Sequence, residues 1–143
     1  MRNFARLERV DEEDPRFRVA IAAIEAGEFD RSFEIVQELA EHGEPLAKHF
    51  LGWHYHKGIG VTQNDREAVH WWQMAAQDGV AESQQGLGWA YEYGRGVTQD
   101  FLEAYKWYSR AVASGDQEAK QNLRELSPKL SAEQIKRLED VAE

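Results

Sequence analysis

The chain has 143 residues, 42% of them apolar, enough to bury one core and so one domain over 1–143. Lys and Arg number 17 against 26 acidic residues, a formal net charge of −9; this excludes the phosphate-neutralising surface of a nucleic-acid binder and favours a basic or cationic partner. There is no cysteine, hence no disulfide, thiol nucleophile or thiolate metal site, and no run approaches the ~18 apolar residues of a membrane span.

Met1 to Val10 carries charges throughout without the apolar stretch of an export signal, so the sequence reads as cytoplasmic. Asp14-Pro15 caps and opens a helix over 15–26 with Phe17, Ile21 and Ile24 on one face, and Gly27 ends it. Asp30 opens a second, carrying Phe33, Val36, Leu39 and Ala40 to Gly43. Pro45 begins a helix to about Lys57; Gly58-Ile-Gly-Val-Thr-Gln is a loop; Asn64 caps 65–78, with Gly79 behind it. The scheme then repeats as helix 81–93, loop Gly94-Arg-Gly-Val-Thr-Gln, cap Asp100 and helix 101–114. A third copy starts at Asp116, and Ser127-Pro128 stops it after one helix. Ser131-Ala-Glu-Gln134 has the form of a capping box and opens a closing helix through Ile135, Leu138 and Val141. No segment alternates like a strand.

The repetition is close. Leu51-Gly52-Trp53 and Tyr55 recur as Leu87-Gly88-Trp89 and Tyr91, a spacing of 36, and Gly58, Gly60-Val-Thr-Gln63, Ala68, Trp71, Ala75 and Gly79 recur at the same interval. A period of this size marks a solenoid, whose units bury their apolar faces only against neighbours. In each first helix Ala47 (Ser83), Leu51 (Leu87), Gly52 (Gly88) and Tyr55 (Tyr91) gather on one face at 100° per residue. Glycine costs ~1 kcal/mol against alanine inside a helix, so Gly52 and Gly88 imply close helix approach. Spacing assigns the filling side chain to Trp71 or Trp107, with Trp72 and Tyr108 at the edge of the packing face. The loop glycines should supply positive φ, so that Val61 and Val97 turn inward.

The word A-x-x-x-L-G-x-x-Y-x-x-G-x-G-V-x-x-D-x-x-x-A-x-x-W-x-x-x-A-A-x-x-G resembles the Sel-one-like repeat (SLR), a relative of the tetratricopeptide repeat. It reads AKHFLGWHYHKGIGVTQNDREAVHWWQMAAQDG at 47–79 and SQQGLGWAYEYGRGVTQDFLEAYKWYSRAVASG at 83–115. The departures are Ser83 for the first alanine and Val112 for the second alanine of the pair. The resemblance divides the chain into a tetratricopeptide-like opening unit at 15–44, full units at 45–80 and 81–116, and a half unit plus capping helix at 117–143. It implies an all-α, right-handed solenoid of antiparallel helix pairs whose concave groove binds a protein or peptide, a scaffold or adaptor rather than an enzyme. Some relatives are exported and carry disulfides, which this chain cannot form.

Five histidines, His42, His49, His54, His56 and His70, fall close together, yet their spacing suits no metal: His54 and His56 stand about 200° apart on a helix, and no HExxH pattern occurs. They read as solvated surface histidines, and no metal or cofactor is expected. No nucleophile stands beside a base, and acidic runs such as Asp11 to Asp14 and Glu41 to Glu44 lie at helix ends as capping or solvated charge. A hydrolase acting on cell-wall-like or β-lactam substrates, an activity the resemblance also brings up, therefore stands behind the binding role. Within that role, an antagonist occluding a basic toxin or effector is the alternative to an adaptor.

The remaining aromatics suggest the binding surface. Trp53 and Trp89 lie nearly opposite the Leu-Gly-Tyr face, beside His49, Phe50, His56 and Lys57 in one unit and Gln85, Glu92 and Tyr93 in the next. In the related tetratricopeptide fold the first helices line the groove, which makes these nine residues the candidate protein-binding set. Equally, each tryptophan could pack on the first helix of the neighbouring unit.

Overall fold

The computed structural model describes residues 14–142. The elements run α1 (Arg16–Glu25), α2 (Phe29–Glu41), α3 (Pro45–Lys57), α4 (Asp65–Gln77), α5 (Ala81–Tyr93), α6 (Phe101–Ala113), α7 (Glu118–Leu126), a 3-10 turn (Ser127–Lys129) and α8 (Ala132–Ala142), with no strand among the described residues. Successive helices from α1 to α7 pack pairwise into an all-α solenoid. The charged opening from Met1 to Val10, the start of the acidic run from Asp11 to Glu13, and the Val141 side chain lie outside the described residues.

Local chemistry sets the boundaries. The Asn64 side chain accepts from the Glu67 N–H at 3.1 Å, and Asp100 accepts from Leu102 and Glu103 at 3.0 and 3.1 Å, satisfying amide groups that the first turns of α4 and α6 leave open. The capping box is complete at α8: Gln134 N–H donates to Ser131 Oγ at 3.1 Å, and Ser131 N–H to Gln134 Oε1 at 2.9 Å. One expected cap is corrected. Asp30 lies inside the first turn of α2, because Glu28 N–H closes the turn after Gly27 onto Ala23 O and the Glu28 carbonyl already accepts from Ser32.

Leu51 and Leu87 are fully buried on the face the pattern assigns. Gly52 and Gly88 are indeed sites of close approach, but the occupant differs from the expected one. Trp72 fills the space over Gly52, and Tyr108 that over Gly88, where an added Cβ would overlap each ring. Trp71 and Trp107 are half-buried instead. They pack on clusters that join their own unit to the preceding one, Trp71 against the group holding Leu39, Phe50 and Leu51, and Trp107 against that holding Val69, Trp72 and Leu87. The reason is angular: position 72 follows Ala68 by four residues, about 40° around the helix, and so faces the partner helix, while position 71 turns toward the neighbouring unit.

The loops dock by backbone. Gly60 (φ 74) lies against the carbonyl of Phe29, and Gly96 (φ 78) against that of Asp65, with no room for a Cβ in either place. At the C-terminal end Leu123 and Leu126 of α7 cover Ala104 and Tyr108. α8 follows with Leu138 half-buried and Ile135 42% exposed.

Candidate protein-binding cleft

The first helices of three successive units, α3, α5 and α7, line one cleft of 320 Å³. His49, Trp53, His56 and Lys57 come from α3, Gln85 and Trp89 from α5, so six of the nine candidate residues meet there. Trp72 forms part of the lining from α4: its indole N–H donates to His49 O at 3.2 Å, and its ring passes beneath Gly86. The other three fall elsewhere. Phe50 is 5% exposed and belongs to the core with Phe17, Val36 and Leu39, because at its position α3 faces the opening unit. Glu92 is 3% exposed, accepting from the Tyr108 hydroxyl and from Lys129 Nζ, each at 2.8 Å, because the short third unit brings the 3-10 turn over it. Tyr93 is exposed outside the cleft, with Lys129 Nζ 5.2 Å from its ring centre.

Sequence reasoning missed Glu82, Glu118 and Asn122, which also line the cleft. A signal for them existed. Positions 82 and 118, like 86 and 122, are one period apart, just as 49 pairs with 85 and 53 with 89. Asn122 joins the half unit to its neighbour by accepting from Gln85 Nε2 at 2.9 Å.

The histidines are corrected in part. His42 and His70 are exposed, whereas His49 and His54 are buried and His56 half-buried. His54 Nδ1 lies 2.7 Å from Ile59 O and so must carry the proton, leaving Nε2 to accept from the Ser32 hydroxyl at 3.1 Å. Burial pushes the His54 pKa below its usual value, against the opposing effect of the Ile59 hydrogen bond. His49 Nδ1 sits 2.8 Å from Ser83 Oγ, so the serine that departs from the repeat pattern ties α5 to α3. Ser83 is fully buried, which makes this pair a latch between units rather than a reachable nucleophile and base. His56 Nδ1 and Arg95 Nε both reach Asp65, at 3.0 and 3.1 Å; despite the opposing cost of burial, these partners hold the Asp65 carboxyl below its ordinary range.

Trp53 and Trp89 are both half-buried at the cleft but not equivalent. Trp89 packs on the cluster around Trp72 and Leu87, stands edge-on to His56 at 4.8 Å, and has the Arg95 guanidinium 5.6 Å from its ring centre. Trp53 makes an edge contact with His54 at 5.2 Å, and its indole N–H is buried with no acceptor among the described residues. Among those residues, no three His, Asp or Glu side chains cluster as metal ligands would, and no helix is long and apolar enough to cross a membrane.

The Sel1-repeat profile matches residues 45–80 and 81–116, the two units whose first helices carry Trp53 and Trp89. The chain belongs to the Sel1-repeat family. Solved structures agree. A protective antigen of uropathogenic Escherichia coli strains displaying an SLR fold superimposes with a TM-score of 0.82 at 26% identity over 91% of this chain, and a Sel1-repeat protein from Oxalobacter formigenes with 0.72 at 29% over 78%. The chain spans 29% and 46% of those two proteins respectively. Helicobacter pylori cysteine rich protein B shares the fold, with a TM-score of 0.63 at 20% identity, 76% of this chain covering 92% of that one. No curated protein matches the sequence. Sel1 repeats are commonly protein-interaction scaffolds and generally not catalysts, and this Sel1-repeat chain has the corresponding architecture.

Proposed function

We propose that this Sel1-repeat protein acts as an adaptor that holds a peptide segment of a partner in the cleft formed by α3, α5 and α7. The observation that carries the reading is the cleft itself: three first helices contribute to one recess, with two tryptophan rings from equivalent positions in its walls. Aromatic side chains offer large contact area at low entropic cost, and tryptophans are enriched among the residues that dominate binding energies. The acidic composition favours a basic partner, which also suits the narrower role of an antagonist covering a basic toxin or effector. The burial of Ser83 argues against the hydrolase alternative.

Affinity purification from the native cell with the wild type and with Trp53→Ala, followed by mass spectrometry, tests the reading. A partner retained by the wild type and lost by a folded Trp53→Ala variant supports it. Identical partner sets would move the binding surface away from the cleft.

A further inference from the structure

Charge is unevenly placed along the cleft. Glu82 lies in the first turn of α5 and Glu118 in the first turn of α7, at equivalent positions, so both carboxylates stand at the same end. Asp116, whose side chain accepts from the amides of Glu118 and Ala119, is held above its ordinary pKa by burial and by the charges of those two glutamates. The amides at the start of α7 oppose this rise, and burial outweighs them. The lysine of the cleft lies toward the other end: Lys57 is in the last turn of α3, near His56, which is engaged by Asp65, whereas His49 is joined to Ser83 beside Glu82.

The walls between suit a cation with an apolar stem. The protein already sets guanidinium groups against its own tryptophans, Arg95 at 5.6 Å from the Trp89 ring centre and Arg110 at 4.6 Å from that of Trp107. A long basic side chain has the matching shape, since its methylenes lie on rings while its head reaches carboxylates.

We propose that the cleft recognises a lysine or arginine side chain of a peptide, its stem between Trp53 and Trp89 and its cation at Glu82 and Glu118. This rests on the cleft being a peptide site, and it adds what the peptide must present. Acidic and purely apolar segments are disfavoured occupants, the first by repulsion at the glutamate end and the second by covering those carboxylates without bringing a counter-charge.

The test is selection of a short random peptide library on the immobilised full chain, followed by titration of the recovered sequence against variants. Recovered peptides should be enriched in Lys or Arg. Glu82→Gln with Glu118→Gln should weaken the recovered peptide about tenfold or more, while Lys57→Glu, on an exposed side chain, should tighten it. A gain of affinity cannot come from misfolding, so the Lys57 variant keeps the proposal testable even if the glutamate variants fold poorly. Enrichment of acidic or apolar peptides that still require Trp53 would overturn the basic-side-chain inference and leave the peptide-binding reading standing. Recovery of no peptide, or of peptides indifferent to Trp53→Ala, would overturn both.

Discussion

The hydroxyl of Tyr108 donates to Glu92 Oε1 at 2.8 Å while its ring lies directly over Gly88, so one side chain fills the helix approach and satisfies a buried carboxylate. Gly88→Ala should therefore be destabilising. At an open helical position that change gains about 1 kcal/mol in propensity; here the new methyl overlaps the Tyr108 ring, and the net loss should be about 1–3 kcal/mol, larger for Gly88→Leu. Chemical denaturation measures both. A variant with alanine at 88 that is more stable than wild type would place the tyrosine elsewhere.

The same pair predicts alkaline behaviour. Burial first, then the hydrogen bond and charge of Glu92, raise the Tyr108 pKa well above 10. The unfolded chain thus loses this proton first. Stability from Tyr108 is complete below about pH 10 and falls as pH rises beyond it. Tyr55, also raised by burial, adds to the slope. Tyr108→Phe should be less stable at neutral pH, with a shallower loss between about pH 10 and 11. Equal slopes in unfolding titrations would contradict the assignment.

At the acid side the sign reverses. His54 has a depressed pKa in the fold, so the unfolded chain takes up the proton first, and the contribution is present above about pH 6.5 and lost as pH falls below it. Ser32→Ala removes the donor to Nε2 and should cost about 1–3 kcal/mol near neutral pH. Chemical denaturation of both proteins at neutral pH measures it, and an unchanged stability would count against the Ser32–His54 hydrogen bond.

The two tryptophans should separate on truncation. Trp89→Ala removes a ring packed on His56 and on the Trp72 cluster, and should lower the melting temperature clearly as well as weaken binding. Trp53→Ala should affect binding more than melting. Trp53→Phe removes an indole N–H that has no acceptor among the described residues, so its stability should change by less than about 1 kcal/mol. A large loss on Trp53→Phe would reveal an acceptor for that nitrogen.

Helix limits were legible because their chemistry is local: Asn64, Asp100 and the Ser131–Gln134 box act within a turn. Gly52 and Gly88 announced close approach, but their occupants were misread. Trp71 and Trp107 are identical across units while 72 and 108 differ, and exact repetition drew attention away from the pair that fills the space. It marks the contact between units instead. Phe50 and Glu92 escaped because burial at those positions depends on what flanks each unit, the opening pair on one side and the truncated half unit on the other. A helical wheel contains neither. The buried histidines likewise depend on Ser32 and Ser83, distant in sequence and without a recurring motif.

Gly60 against Phe29 O and Gly96 against Asp65 O amount to a main-chain ruler. Each loop rests on the peptide backbone of the second helix one unit earlier, so the pitch from one first helix to the next is gauged by parts every residue type shares. The residues facing the recess are then released from dictating curvature. Such a ruler lets recognition drift while the distance between binding positions stays constant, and a partner that matches that pitch can be exchanged for another by changing side chains alone.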